Sequence, residues 1–271
     1  MPRWRLIEDG EASGPWNMGV DEALLASARQ GHPSIRLYRW RGPWLSIGYG
    51  QQVDPQLERA CEEADVGRVR RVTGGRAVLH GQDLTYAVAS PEVLLPPTLF
   101  GAYDWVARVL VDALQRLGVA ATRSGPDARA PGRELFDCFA QAAPEEICVA
   151  DRKLAGSAQR RVGGALLQHG SIRLSPDPDA AIEATGLAGA GATNLAELAG
   201  PTRGPVSEEA LRSALASSFE GLLGQPLDRG ALSTGEEAMA RERELSCGRE
   251  ALWAPSAAAQ TPPTASSTSL R

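Results

Sequence analysis

Short strand-like runs joined in pairs by glycine, with helical stretches interleaved irregularly, constrain this chain more than any other feature of its sequence. Residues 35–40 and 44–48 read as two strands broken at Gly42-Pro43. Residues 68–86 hold strand-like segments punctuated by Gly74-Gly75 and Gly81, and 147–174 is a further β-rich block. Direct strand-to-strand links of this kind favour antiparallel neighbours, whereas a doubly wound parallel sheet needs a crossover between strands. The expected class is therefore α/β (α+β), with a mixed, partly antiparallel sheet flanked by helices. No internal repeat is visible.

The helical stretches carry their own signals. After a first strand at 4–7, Asn17 reads as the N-cap of a helix with Asp21 and Glu22 in its first turn. Asp54-Pro55 opens another, an N-cap followed by proline at the first helical position, with Leu57, Cys61 and Ala64 on one face. Residues 103–117 form a longer helix whose stripe is Val106, Val109, Leu110, Ala113, Leu114 and Leu117, stopped by Gly118. Late helices are expected at 180–185, 194–199 and 207–223, the last between Ser207 and Gly224. A length of 271 residues is long for one core and short for two, so 1–253 is expected to be a single domain with a helical C-terminal part. Residues 254–271 are mainly Ala, Ser, Thr, Pro and Gln, cannot bury a core, and are expected to be a disordered tail.

Several function classes fall away. The net charge is −5 and no long basic run exists, which speaks against nucleic acid as a main partner, because phosphate binding needs clustered Lys and Arg. No apolar run has the length of a signal peptide or of a membrane span, so no membrane contact and a cytoplasmic location are expected. The four cysteines, Cys61, Cys138, Cys148 and Cys247, fit no metal or redox spacing and are expected to be free thiols. Cys61 on a helix face and Cys148 in a strand read as structural, and Cys247 has no supporting context.

Three segments can carry chemistry. The first is Arg70-Arg71-Val72-Thr73-Gly74-Gly75-Arg76-Ala77-Val78-Leu79-His80. Paired glycines let a backbone approach a ligand and aim N–H groups at it, although a plain hairpin turn looks the same. Arg76 on that turn would suit a phosphate or carboxylate. The second is Asp137-Cys138-Phe139, which follows a loop rich in Gly, Pro, Arg and Asp at 125–133. A cysteine beside phenylalanine is by itself more often core than nucleophile. The third is Lys153-Leu154-Ala155-Gly156-Ser157-Ala158-Gln159 with Leu166-Leu167-Gln168-His169-Gly170-Ser171-Ile172, where the bland alternative for Lys153, and the one composition alone favours, is a surface lysine beside a turn.

Taken together, with Asn17-Met18, 21–25, 45–49 and 84–86, these segments resemble the biotin/lipoate protein ligase superfamily over about residues 4–174, in the family's order. The likeness is greatest to the cysteine-dependent octanoyl-[acyl carrier protein]:protein N-octanoyltransferases. The resemblance implies that superfamily's catalytic domain and makes Cys138 the acyl-thioester nucleophile. It makes Lys153 the lysine beside the acyl carbonyl. Arg71, Gly74, Gly75, Arg76 and His80 then form the pocket wall, and Gly156, Ser157, Ala158, His169 and Gly170 complete the expected substrate-binding set. The donor implied is acyl carrier protein. The acceptor is a lipoyl-domain protein such as a glycine cleavage H-like protein, the enzyme is expected to be a monomer, and neither metal nor cofactor is needed. The sequence departs from the family's pattern at Gly81, where Asp is frequent, and at Ala143-Pro144-Glu145-Glu146-Ile147.

A cation near Cys138 would favour its thiolate, and Lys153 is expected to supply it. For the proton of the incoming amine, His80 is the first candidate base and His169 the second, with a satisfied structural histidine an equal alternative for either one. Three rivals stand beside this reading. An ATP-dependent lipoate–protein ligase would use ATP and Mg and leave Cys138 idle, but such ligases tend to have a third glycine where this chain has Arg76. An amidotransferase would move the acyl group between lipoyl-domain lysines. A non-catalytic acyl- or carrier-binding protein would keep only the pocket.

Overall fold

A computed structural model of the chain describes residues 2–125, 137–139, 146–189, 191–199 and 204–246. Its first strand, β1 (Arg5–Ala12), leads into α1 (Gly14–Arg29), followed by β2 (Ser34–Trp40), β3 (Trp44–Ile47) and α2 (Pro55–Glu63). Three short-linked strands come next: β4 (Gly67–Arg70), β5 (Val78–His80) and β6 (Asp83–Pro91). Helix α3 (Leu99–Arg116) precedes β7 (Thr122–Arg123), β8 (Ile147–Val149), β9 (Arg152–Val162) and β10 (Ala165–Arg173). The chain continues through α4 (Asp179–Thr185), α5 (Glu208–Leu223), β11 (Asp228–Gly230) and α6 (Thr234–Ser246).

The strands form an eight-stranded sheet in the order β11-β1-β2-β6-β10-β9-β8-β7 and a three-stranded sheet in the order β4-β3-β5. Strand β1 is parallel to β2 and β11, while the run from β2 through β6, β10, β9 and β8 to β7 is antiparallel. The sheet is thus mixed, as the glycine-linked strand pairs imply. Gly163 and Gly164, both with positive φ, turn β9 into β10, and that hairpin supplies the centre of the sheet.

Alternation along the strands divides the core between two faces. Leu84, Tyr86 and Val88 of β6, with Ile35 and Leu37 of β2, pack against the stripes of α3 and α5. On the other face, Tyr38, Trp40, Ala87 and Ala89 meet Met18, Val20 and Leu24 of α1. The small sheet covers part of this second face and has its own cluster with α2 and α4, centred on Leu45, Ile47, Cys61 and Leu79. The site lies between the two sheets.

Several boundaries differ from the expectations. Helix α1 begins three residues before Asn17, with Ser13 as its N-cap accepting from Trp16 N and Pro15 in the first turn. Asn17 lies inside the helix because its side chain is committed elsewhere. Its oxygen accepts from the buried Arg36 at 2.9 Å, and its amide donates to Arg39 O at 3.0 Å. Helix α3 starts at Leu99, capped by Thr98, so its first turn carries the exposed Leu99 and Phe100 instead of opening at Tyr103. Residues 194–199 form turns held by Asn194, whose side chain accepts from Glu197 N; six residues are too few for stable helix propagation.

Sequence periodicity did not indicate α6 or β11. Helix α6 is polar nearly all round, so its apolar signal is weak, and it docks through contacts remote in sequence. Gly19 lets it come so close that a Cβ there would lie 2.9 Å from Ala240 Cα. Glu236 receives Arg5 at 2.6 Å and Ser27 at 2.7 Å. Cys247 and the expected tail at 254–271 lie outside the described residues, as does most of the 125–133 loop. Among the described residues no helix is long and apolar enough to cross a membrane.

Candidate active site

Between the sheets is a cavity enclosing about 410 Å³ of space free of atoms, mouth included. Met18, Tyr38, Trp40 and Val78 give it apolar walls, and Cys138 stands in its lining. Cys138 is held by backbone. Its N–H donates to Ala77 O at 2.9 Å, just ahead of β5. The carboxylate of Asp137 accepts from Phe139 N at 2.7 Å and from Gly189 N at 3.0 Å. Phe139 is buried against Val78 and Ala192, which anchors the neighbour of Cys138 in apolar packing.

Lys153 is the second residue of β9 and is 1% exposed. Its backbone is clamped on both sides, N to Gly191 O and O to Thr193 N, each at 2.9 Å. Its ammonium donates to Cys138 O at 2.7 Å, to Glu146 Oε1 at 2.5 Å and to Cys138 Sγ at 3.4 Å, and it lies 5.0 Å from the Phe139 ring centroid. Three N–H bonds thus have three acceptors. Burial alone would drive the lysine toward the neutral amine, but the charges of Cys138 and Glu146 and the hydrogen bonds to both outweigh it, and its pKa is raised. The lysine can occupy this position because residue 156 is glycine. A Cβ there would lie 2.9 Å from Lys153 Cε, 3.0 Å from Nζ and 3.5 Å from Cys138 Sγ. Cys138 and Lys153 therefore meet without being paired on adjacent strands: the cysteine is tied to Ala77, and the lysine's strand partner is Cys148.

The Gly74-Gly75 turn is held by Arg71. Its guanidinium donates to Gly74 O at 3.2 Å, Arg76 O at 2.7 Å, Ser46 O at 2.9 Å and Ser46 Oγ at 2.7 Å. Burial brings the Arg71 pKa down to about 10, so it stays cationic at neutral pH. Gly75 sits at φ +89°, which glycine tolerates at little cost, and its carbonyl passes so close to Gly48 that a side chain there would collide with it.

The two histidines sit within two buried hydrogen-bond chains. Arg71 donates into Ser46 Oγ, which lies 2.7 Å from His80 Nε2, and His80 Nδ1 lies 2.9 Å from Asp83. Asp83 also accepts from Thr85, whose hydroxyl receives Trp40 Nε1, and the His80 ring stacks on Trp40 at 4.0 Å. Burial would raise the Asp83 pKa, but His80 and the hydrogen bonds from Gly81 and Thr85 prevail and hold it at about 2. In the second chain Thr73 Oγ1 is 2.6 Å from His169 Nε2, and His169 Nδ1 is 2.7 Å from Asp21, which also takes Tyr38 and Arg36. Burial, opposed by Asp21, lowers the His169 pKa, so this ring is neutral at pH 7. Both ring nitrogens of both histidines are engaged, which suits fixed pocket walls more than a base waiting for a proton.

Of the residues singled out in the sequence, Cys138, Arg71, Gly75, His80, Gly156, Ser157, Ala158, His169 and Gly170 line the cavity. Lys153 lies behind the sulfur, and Gly74 and Arg76 meet the cavity only through the turn that Arg71 holds. Cys61 and Cys148 are buried, and burial pushes the Cys61 thiol up to about 11. Glu146 and Asp137 were not identified in the sequence as site residues. A signal for Glu146 was present: Lys153 is the only lysine in the chain, all other basic side chains except three histidines being arginine. A lone buried ammonium needs an anion nearby. Among the described residues no group of three or more His, Cys, Asp and Glu side chains could hold a metal ion.

A mixed sheet flanked by helices, with a cysteine and a buried lysine meeting at a cavity between the two sheets, makes the molecule an α/β domain with a candidate active-site cleft. The chain belongs to the family of the lipoyl protein ligase A/B catalytic domain, whose model matches residues 13–220. It is 36% identical over 265 residues to the octanoyltransferase LipM of Kyrpidia tusciae, spanning 89% of this chain and 95% of that protein. It is 39% identical over 255 residues to the octanoyltransferase LipM of Symbiobacterium thermophilum, spanning 86% and 91%. Among solved structures, lipoate-protein ligase A bound with ATP superposes with a TM-score of 0.70 at 24% identity, covering 89% of this chain and 93% of that one. The bipartite lipoate protein ligase of Thermoplasma acidophilum gives 0.67 at 21% identity, covering 89% and 92%. These two likenesses establish the fold, which is the one expected from the sequence.

Proposed function

We propose that this chain is an octanoyltransferase of protein lipoylation that carries its acyl group as a thioester on Cys138. The enzyme class rests on relatives at 36–40% identity that bear that name, and a lipoyl domain as acceptor follows from the same pathway. The observation that carries the covalent route is the approach of Lys153 Nζ to Cys138 Sγ at 3.4 Å on the rim of an apolar cavity.

The donor is an acyl carrier protein thioester and the acceptor is a lysine of a lipoyl-domain protein such as a glycine cleavage H-like protein. Exchange of one thioester for another is close to isoenergetic, so neither ATP nor another cofactor is required. The Cys138 thiolate, opposed by the Lys153 ammonium, attacks the acyl carbonyl and expels the carrier thiolate. Once the sulfur is acylated, the Lys153 N–H that pointed at Sγ is the one able to turn to the acyl oxygen, where charge grows in the tetrahedral state. The octanoyl tail lies along Met18, Tyr38 and Trp40, each buried CH₂ contributing about 0.8 kcal/mol. In the second half the acceptor amine attacks, Cys138 leaves as thiolate, and the proton lost by the nitrogen restores the thiol. The acceptor must first be neutral; for an ordinary lysine that form is roughly 1 in 2,500 at pH 7, a deficit of about 4.6 kcal/mol that docking must offset.

Incubation with octanoyl-carrier thioester should add the octanoyl mass to the peptide bearing Cys138. Transfer to a lipoyl domain that survives in Cys138→Ala, with no adduct on the parent enzyme, would refute the thioester. Turnover of free octanoate that needs ATP and yields AMP would identify a ligase instead.

A further inference from the structure

We infer that Glu146 protects the acyl-enzyme from passing its octanoyl group to the enzyme's own lysine. This rests on the Cys138 thioester of the preceding section and adds a role for a residue that touches no substrate. The enzyme's task is to acylate a lysine of another protein, yet its own single lysine stands 3.4 Å from the sulfur that carries the acyl group. A nucleophile held so close behaves as if present at an effective molarity on the order of 10⁵–10⁸ M.

The unwanted step balances without any co-reactant. A neutral Nζ attacks the thioester carbon, the C–N bond forms, the C–S bond breaks, and the proton lost by nitrogen ends on the departing thiolate. The products are an amide on Lys153 and a free Cys138 thiol. An amide is more stable than a thioester, so the step would be a dead end.

What blocks it is a proton on the nitrogen lone pair. The groups facing Nζ are Cys138, Glu146 and the Phe139 ring, with Arg173 5.1 Å from the same ring. Once the sulfur is acylated it no longer carries charge, and Glu146 at 2.5 Å is left as the anion that holds the ammonium. Burial pulls the other way, toward the neutral amine. The carboxylate is built to stay in place. Glu146 N donates to Ser124 Oγ at 3.0 Å, its carbonyl accepts from Ser124 N at 2.8 Å, and its side chain is 10% exposed. Glu146 is therefore a positioning residue: it fixes the charge of Lys153, and Lys153 does the chemistry.

The test loads wild type and Glu146→Gln with octanoyl-carrier thioester and then adds neutral hydroxylamine, which strips thioesters and leaves amides. Peptide mass spectrometry reads the octanoyl group on Cys138 and on Lys153. Wild type should show an adduct on Cys138 that hydroxylamine removes. Glu146→Gln should show a resistant adduct on Lys153 at least about tenfold larger than wild type, the change expected for one unit in the amine's pKa. Glu146→Asp, which keeps the charge, should remain at the wild-type level, and Lys153→Arg in the Gln background should abolish the resistant adduct. Equal resistant fractions in wild type and Glu146→Gln, with Cys138 acylated in both, overturn the protective role. A wild type that never acquires the Cys138 adduct overturns the thioester reading itself. If Glu146→Gln takes up no acyl group, wild-type acyl-enzyme held between pH 7 and 9 reads the same proposition: the resistant fraction must rise about tenfold per unit, and a flat profile overturns it.

Discussion

Replacing Gly156 by alanine tests the site with one methyl group. The backbone there has no positive φ, so alanine is tolerated locally and the perturbation is steric alone. The new Cβ would stand 2.9 Å from Lys153 Cε and 3.0 Å from Nζ, against an ordinary separation of about 3.5–4.0 Å. The ammonium must retreat by roughly half an ångström or more, and its bonds to Cys138 O and Glu146 then lengthen or break. One hydrogen bond to a charged group is worth about 1.5–3 kcal/mol, which is roughly a ten- to hundredfold loss of rate if the same donor serves the transition state. Stability should change little, because alanine restricts the unfolded chain by about 0.4–1 kcal/mol while the clash is relieved at the end of a flexible side chain. The assay is single-turnover acylation of Cys138, followed by rapid quench and mass spectrometry, with a thermal melt of the same sample. An acylation rate within threefold of wild type at an unchanged Tm would show that the place of the Lys153 nitrogen does not govern the chemistry.

Four further outcomes are expected. Lys153→Met leaves Glu146 as a buried carboxylate without its ammonium and should destabilise the fold by about 3–5 kcal/mol. Lys153→Met with Glu146→Gln should lose less than the two single changes summed, measured by urea denaturation; strict additivity would deny the coupling. Asp137→Ala removes the acceptor of Phe139 N and Gly189 N and should slow Cys138 acylation about tenfold while shifting Tm by only a few degrees; an unchanged acylation rate would remove Asp137 from positioning. Asp83 has a folded pKa of about 2, below its ordinary 3.8, so its stabilisation is full above pH 4 and is lost as pH falls toward 2. Asp83→Asn should flatten that acid limb of the stability curve by about 2 kcal/mol, and an unaltered limb would assign it to other groups.

Much of the architecture was legible from neighbours in the chain. The Asp54-Pro55 cap, the stripe of α3 and the Ser207 and Gly224 bounds of α5 are decided within one or two helical turns, and the structure shows each of them. Asn17 misled because a good capping residue was taken by Arg36, nineteen positions away. Helix α6 was missed because what secures it, the gap over Gly19 and the ion pair of Glu236 with Arg5, is invisible in its own residues.

The sequence by itself determined the class of fold, the chemistry-bearing residue types and their resemblance to a lipoyl-handling family, since periodicity, caps and motifs are local properties. Only the tertiary structure decided that Lys153 is buried behind Cys138, that Glu146 holds it, and that His80 and His169 line the cavity with both ring nitrogens in contact with polar partners. The physical reason is that side-chain distance and solvent exposure follow from strand order and sheet packing. Those bring Ala77, Cys138, Glu146 and Lys153 together although their spacing along the chain carries no trace of it.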